Sequence, residues 1–176
     1  MWYPPKVTTA PSAEPISLVE AKRHLNVFHD DDDALIGSLI SVARDHVEKY
    51  CGARFASQVV EAQATCWADL ARLPVTPVTD ADIEYVDTGG ATVVLADTVF
   101  ELRGDGLVLK YGQSWPATQP GSLITLTAVA GFTNCPPAVK HAMLLRIEDL
   151  YENRGSVDDA DWSAFDSLLS NYRFYT

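Results

Sequence analysis

Two histidines and a run of four aspartates carry the residue types of a metal site. His24 and His29 precede the aspartates at positions 30–33, and imidazole nitrogens and carboxylate oxygens are common metal ligands. The spacing fits neither the H-E-x-x-H zinc motif nor the D-x-D-x-D-G calcium loop with its glutamate at position twelve. The sequence therefore predicts a solvated acidic cluster at the start of a helix, with no metal and no other cofactor.

The residues needed for nucleophilic catalysis are present, but no pattern brings them together. Cys51, Cys66 and Cys135 lie far apart without a C-x-x-C pair, and no serine stands in a G-x-S-x-G elbow. The histidines and the paired carboxylates near the C-terminus fall on predicted helix surfaces, where charged and polar residues are usually solvated. We expect a protein that is not an enzyme, and an uncharacterised hydrolase stays open as an alternative.

The tripeptide Arg103-Gly104-Asp105 has the sequence of an adhesion motif. It lies between two alternating apolar segments, and Gly104, Asp105 and Gly106 supply the residue types that a tight turn requires. We therefore predict a hairpin turn here.

The C-terminus has an unusual density of aromatic residues and arginine. Tyr172, Arg173, Phe174 and Tyr175 follow Leu168 and Leu169, and tyrosine and arginine are typical anchors of protein interfaces. We predict that residues 171–176 form a docking tail. The alternative is that this tail folds back onto the core of its own chain.

Helical elements lie at both ends of the chain. Ser17 and Glu20 have capping-box spacing and predict a short helix through about Leu25. A longer helix follows with an apolar stripe and ends at Gly52. A second long helix begins after two prolines at 136 and 137, and a further short helix is predicted within residues 159–170. The stripes predict that the two long helices pack against each other, through the following residues: Leu35, Ile36, Leu39, Ile40, Ala43, Val47 and Tyr50 on one helix, and Val139, Met143, Ile147, Leu150 and Tyr151 on the other.

Between the long helices, the hydrophobic period changes to two over about residues 56–130. Two glycine-rich turns, at 87–90 and 103–106, predict hairpins. The fold class is therefore α+β: a short helix, two long packed helices, an antiparallel hairpin or sheet region inserted between them, and a C-terminal tail. We expect an extended arm at 1–14, which is rich in proline, and a single domain over 15–170.

The chain has 24 acidic and 13 basic residues and a formal charge of −11 over 176 residues. Such a surface repels the phosphate backbone, so we expect no tight binding to DNA. No apolar run is long enough to suggest a membrane span. The opening residues lack the features of an export signal, so we expect synthesis in the cytoplasm.

Several segments together resemble the head-tail connector (adaptor) family of tailed bacteriophages, including its counterparts in gene transfer agents. The resemblance covers roughly residues 15–176. It rests on the following segments: 16–25 (ISLVEAKRHL) with the aspartates and the helix ending at YCG, 124–132 (ITLTAVAGF), 136–140 (PPAVK), 150–154 (LYENR) and 168–173 (LLSNYR). The last segment resembles a terminal Leu-Leu-x-Pro-Tyr-Arg signature, with Asn171 in place of the proline.

The resemblance implies a structural subunit of a virion or phage-like particle, made in the bacterial cytoplasm and assembled into the neck. Such a subunit forms a homo-oligomeric ring, commonly of twelve copies, between the portal protein and the stopper or tail-completion protein. It extends the channel through which DNA passes. The tail residues 168, 169 and 172–175 would then dock onto the portal. A generic phage or bacterial interaction module without a ring is the remaining alternative.

Overall fold

The computed structural model of the protein describes residues 1–153 and 163–174. Its helices and strands have the following order and bounds: β1 (Lys6–Thr9), α1 (Leu18–Leu25), α2 (Asp33–Cys51), β2 (Gln58–Ala64), β3 (Val78–Val86), β4 (Thr92–Val94), β5 (Phe100–Arg103), β6 (Gly106–Leu109), β7 (Ile124–Ala130), α3 (Pro137–Asn153) and α4 (Ser163–Leu169). Short 3-10 helices lie at Trp67–Ala71 and Ser170–Tyr172. The α+β class is confirmed.

The chain forms two compact units, and the chain path interleaves them. A sheet unit contains Met1–Ser12 and Ser57–Gly131, and a helical unit contains Ala13–Ala56 together with described residues from Phe132 onward. The strands of the sheet unit that follow α2 lie within the predicted β-rich insertion. The expectation of one connector domain over 15–170 groups these two units together and stays a prediction.

Local capping signals define both ends of α1 and the C-terminal end of α2. The Ser17 side chain accepts a hydrogen bond from the Glu20 N–H, and Asn26 ends α1 in the left-handed conformation at φ 56°. Gly52 ends α2 in the same region at φ 67°. Polar N-caps and left-handed C-caps satisfy backbone groups that have no partner within the helix. The predicted ends of both helices, at Leu25 and Gly52, are thus confirmed.

The helical unit has one apolar cluster, to which α2 and α3 contribute most of the buried side chains. Buried members include Ile36, Ile40, Val47, Met143 and Ile147. Removing these side chains from water is the main favourable contribution to the stability of the unit. One residue of the predicted α2 stripe differs, because Leu35 is 41% exposed.

The sheet unit is built on an antiparallel sheet with the strand order β1-β2-β7-β3-β4 and a separate pair formed by β5 and β6. Along β2 and β7, buried and half-buried residues alternate. This alternation follows from the two-residue period of a strand, which places every second side chain on the same face. The apolar cluster of the unit includes Leu70, Ile83, Phe100, Leu107 and Leu126.

Part of the predicted N-terminal arm belongs to the sheet. Lys6–Thr9 pairs antiparallel with β2, and Trp2 forms an isolated bridge with Ala64. The Trp2 indole N–H also donates to the carbonyls of Asp69 and Arg72. Residues 1–14 therefore include an edge strand, because Val7, Thr8 and Thr9 are β-branched and pair readily once a partner strand is present.

Both predicted hairpins are confirmed. In the first, Tyr85 pairs with Val93, and the Asp87 carboxylate accepts from the N–H groups of Gly89 and Ala91 across the turn. In the second, Arg103 pairs with Gly106 around a two-residue loop. Short polar side chains and glycine stabilise such turns.

Candidate docking interface

The predicted docking tail begins in α4 and continues beyond the 3-10 helix at Ser170–Tyr172. Leu169 is fully buried in the apolar cluster of the helical unit, and Leu168 is half-buried against it. Phe165, one turn before Leu169, is also buried and packs against the rings of His46 and Tyr50. The apolar residues of α4 therefore belong to the core of the protein.

The three described residues after Asn171 also contact the helical unit. The Tyr172 ring meets Phe55 edge to face at a centroid distance of 6.4 Å. The Arg173 guanidinium lies 4.7 Å from the centre of the Tyr50 ring. The Phe174 N–H donates to the Cys51 carbonyl at 2.7 Å. Tyr175, the remaining residue of the predicted docking set, lies outside the described residues.

Gly52 allows this close approach of the C-terminal segment. A Cβ atom built on Gly52 would lie 2.5 Å from the carbonyl oxygen of Phe174. Any other residue at position 52 would therefore meet the backbone of the segment, as well as the cost of a positive φ. Glycine here ends α2 and also makes room for the chain end.

A second contact ties α4 to α2. The Tyr50 hydroxyl donates to an Asp166 carboxylate oxygen at 2.6 Å. This hydrogen bond raises the pKa of Tyr50 above its ordinary value, and burial of the hydroxyl raises it further. Residues 165–174 thus fold back onto their own chain, as the alternative in the sequence analysis described. Docking of this segment onto a portal stays a prediction.

Sequence reasoning missed Glu48, which is the most buried charged residue among those described. One carboxylate oxygen accepts from the N–H groups of Phe55 and Ala56, and the other lies 3.3 Å from Nη1 of both Arg44 and Arg54. Buried carboxylates require such partners. Glu48 therefore fixes the turn that leaves α2.

The aspartates at 30–33 have structural partners. Lys22 Nζ bonds Asp30 and Asp33 at 2.7 and 2.6 Å, and the Tyr151 hydroxyl donates to Asp32. The hydrogen bond from Lys22 holds the pKa of Asp30 below its ordinary value. Among residues 1–153 and 163–174, no group of three or more His, Cys, Asp or Glu side chains is arranged to hold a metal ion. The absence of a bound metal stays a prediction.

The groups considered for nucleophilic chemistry have structural surroundings. Burial raises the pKa of the Cys51 thiol to about 11 and that of Cys135 to about 11. Burial, with a contribution from Arg146, lowers the pKa of His46. His24 bonds Glu148 at 3.0 Å. These contacts give no support to the hydrolase alternative, because protonated buried thiols are poor nucleophiles.

Arg103-Gly104-Asp105 is a hairpin turn, as predicted. Gly104 has φ 61°, the Asp105 carboxylate accepts from the Thr76 hydroxyl at 2.7 Å, and the Asp105 carbonyl accepts from the Leu73 N–H. A Cβ on Gly106 would lie 2.1 Å from the Ala71 carbonyl oxygen. Asp105 thus fixes the turn through hydrogen bonds within its own chain. These contacts do not support an adhesion role.

No described helix is both long enough and apolar enough to cross a membrane.

Residues 15–86, fewer than half of the chain, match the family model of the phage gp6-like head-tail connector protein. No curated protein sequence matches the chain.

Among solved structures, three similar chains come from gene transfer agent (GTA) particles. One is from the neck of an empty GTA particle computed with C6 symmetry, at 19% identity and TM-score 0.81. Another is from the virion of a native GTA particle, at 20% and 0.83. A third is from the neck of a native GTA particle computed with C12 symmetry, at 21% and 0.81. Each match covers 99% of this chain and 97% of the other.

The matched family is a connector family, and the matched structures are components of particles; none is described as an enzyme. The structural likeness extends the agreement from residues 15–86 to the fold of nearly the whole chain. The resemblance of this protein to the head-tail connector family, gene transfer agent counterparts included, is therefore confirmed.

Proposed function

We propose that this protein is a structural subunit of the neck of a phage or gene transfer agent particle. In this proposal its copies form a ring between the portal and the stopper or tail-completion protein, and the ring extends the DNA channel. The observation that carries the proposal is the match of the whole fold to neck chains, which covers 99% of this chain. A shared fold alone does not fix function, but the family match over residues 15–86 points to the same role.

Ring formation requires each subunit to use two different surfaces, because a cyclic assembly of more than two copies is built from heterologous contacts. The C6 and C12 symmetries of the matched necks support a ring of six or twelve copies for this chain. The two compact units differ in structure, because one is built mainly of helices and the other on a sheet.

Passage of DNA without tight binding is supported by charge. On β3, the exposed residues include Asp80, Asp82 and Glu84, and Glu61 on β2 is half-buried. Carboxylates repel DNA phosphates. They also do not release the counterions bound to DNA, and that release is what makes DNA binding by basic residues favourable. With a formal charge of −11, a ring of this protein would let DNA move without adhering to it.

For the portal contact, we propose the exposed side of the C-terminal segment. Arg173 and Asn171 are exposed there, while Leu169 is committed to the core. Arginine suits a carboxylate-bearing partner because it can form two parallel hydrogen bonds. Tyr172 and Phe174 are only partly exposed, because they pack against the apolar cluster of the helical unit.

Cryo-electron microscopy of particles from cells that produce this protein tests the proposal. We expect a ring of this chain at the neck, between portal and tail. Purified particles that contain portal but lack this chain would contradict the neck role. A monomer in solution would not, because the ring can require the portal surface to assemble.

The portal contact has a separate test. Arg173→Glu should weaken co-sedimentation with purified portal, and Arg103→Glu, on the exposed hairpin of the sheet unit, is the matched control. Equal binding of both variants and of the wild type would dispose of the proposed tail contact while leaving the neck role intact.

A further inference from the structure

The loop between α1 and α2 displays the most exposed phenylalanine among the described residues. Phe28 is 87% exposed, although its neighbour Val27 is buried in the apolar cluster of the helical unit. Transfer of a large aromatic side chain from water into an apolar pocket is favourable, so burial of Phe28 in a complex would stabilise that complex.

This loop is held in place on both sides of Phe28. Before it, the Val27 N–H donates to the Lys22 carbonyl at 3.0 Å. After it, the Lys22 ammonium joins Asp30 to Asp33, and the Tyr151 hydroxyl of α3 donates to Asp32 at 2.7 Å. The backbone that carries Phe28 is therefore preorganised, which lowers the entropy lost when an exposed anchor is buried by a partner.

The charges around Phe28 restrict the chemistry of that partner. The side chains of Asp30 and Asp31 are 90% and 95% exposed. They repel DNA phosphates and anionic membrane surfaces, and they favour a protein surface that carries lysine or arginine. A pocket that is apolar in its centre and basic at its rim complements both features of the loop.

A second copy of this chain is poorly suited to supply the basic rim of this pocket. At least six of its 13 basic residues are already in ion pairs with carboxylates of their own chain; these are Lys22, Arg44, Lys49, Arg54, Arg103 and Arg146. With a formal charge of −11 per copy, two copies also repel each other at an acidic loop. A different protein chain fits better.

We propose that residues 26–33 form a docking knob, with Phe28 as its anchor, that inserts into an apolar pocket with a basic rim on a different protein of the particle neck. The neck location rests on the proposed function. The chemistry of the knob rests on the exposure of Phe28, the fixed loop and the exposed carboxylates.

A photo-crosslinking residue, p-benzoylphenylalanine, tests the partner directly. It replaces Phe28 in producing cells, and the same residue at Val19, which is 69% exposed in α1 of the same unit, is the control. After irradiation, the crosslinked peptides are mapped by mass spectrometry. We expect position 28 to crosslink to a different particle protein, near lysine or arginine. Crosslinks to a second copy, to DNA or to nothing would overturn the proposal.

Substitutions test the energetics. Phe28→Ala and Asp31→Lys should each lower recovery of the protein in purified particles by at least about tenfold, because truncation of an interface anchor and reversal of a rim charge both weaken binding strongly. Val19→Ala should leave recovery unchanged. All three variants should melt as the wild type does, since these side chains are exposed. Wild-type recovery of Phe28→Ala would refute the anchor.

Failure of the neck role can be told apart from failure of the knob. If wild-type protein is missing from purified particles, the neck role is wrong, and so is the neck location of the knob. The crosslink is formed in cells before particles are purified, so it still identifies whether Phe28 enters a basic-rimmed pocket on another protein.

Discussion

Gly52 meets two structural requirements at one position. Its φ of 67° ends α2, and its missing side chain leaves room for the carbonyl of Phe174. Gly37 lies in the second turn of the same helix, where an added Cβ would meet nothing within 4 Å. The two glycines therefore form a matched pair in which only one is required.

Substitution by alanine should move stability in opposite directions at these two sites. Gly52→Ala should lower the free energy of unfolding by at least ~1–2 kcal/mol, from the positive φ alone, and further through the contact with Phe174. Gly37→Ala should raise it by ~0.5–1 kcal/mol, because alanine loses less entropy in a helix. Urea denaturation measures both. A loss at Gly52 no larger than the ~1–2 kcal/mol expected from the positive φ would show that the C-terminal segment does not lie against this residue.

Glu48 should be the most costly charged side chain to remove. Glu48→Ala removes the carboxylate that Arg44 and Arg54 share, and it removes the oxygen that accepts from the N–H groups of Phe55 and Ala56. The expected loss is ~3–5 kcal/mol in urea denaturation, as for other broken buried pairs. Lys49→Ala, which breaks an exposed pair with Asp45, should cost below ~1 kcal/mol. Similar small losses at both sites would contradict the buried network.

The three cysteines should differ in reactivity towards a thiol reagent such as Ellman's reagent. The pKa values of Cys51 and Cys135 are raised to about 11, whereas Cys66 is exposed. At pH 8 a thiol of pKa 11 is roughly one part in a thousand thiolate, and the thiolate is the reactive form. We expect one fast thiol in the native protein and three after denaturation, with the slow pair accelerating as the pH approaches 11. Three fast native thiols would contradict this.

At the scale of elements, the C-terminal segment makes a structural contribution that truncation should reveal. Deleting residues 171–176 removes the contacts of Tyr172 with Phe55 and of Phe174 with Cys51. A loss of ~2 kcal/mol corresponds to a fall of roughly 4–8 °C in melting temperature for a chain of this size. Tyr111→Ala, at a fully exposed aromatic residue of the sheet unit, should not change it. An unchanged melting temperature after truncation would mean that the segment is free to dock elsewhere.

The elements that could be predicted from sequence are those fixed by neighbouring residues. Ser17, Gly52 and the turn at Gly104 act within a few positions, so their residue types are sufficient. Strand β1 was missed because its partner β2 lies about fifty positions away, and the proline-rich context gave no sign of that partner.

The candidate docking residues were harder to assign, for a chemical reason. Aromatic residues and arginine are found both in protein cores and as anchors of interfaces. Their presence at residues 172–174 therefore could not show from sequence which of the two roles they have. Glu48 was missed because a glutamate on a helix is usually solvated, and its acceptor role depends on the path of residues 55 and 56. Phe28 gave no periodic signal at all.

For the whole molecule, we expect weak binding to DNA. At physiological salt, a labelled duplex should bind with a dissociation constant above about 1 µM, since the formal charge of −11 opposes any contact with phosphates. Replacing Asp80, Asp82 and Glu84 by lysine should tighten binding and make it depend more steeply on salt. Tight binding by the wild type in fluorescence anisotropy would contradict the proposed passage of DNA through an acidic ring.

The interleaved path of the chain also sets an order of events on the ribosome. Every strand of the sheet unit is synthesised before α3 begins at Pro137, whereas α2 ends at Cys51, 86 positions earlier. At typical rates of synthesis, the apolar side of α2 waits roughly 4–17 s for the helix that covers it. The sheet can therefore close first, and the helical unit is completed only after α3 and α4 have been synthesised. A chain of residues 1–136 that is extended by an unstructured linker long enough to clear the ribosome should resist protease over residues 57–131 and be cut within α2.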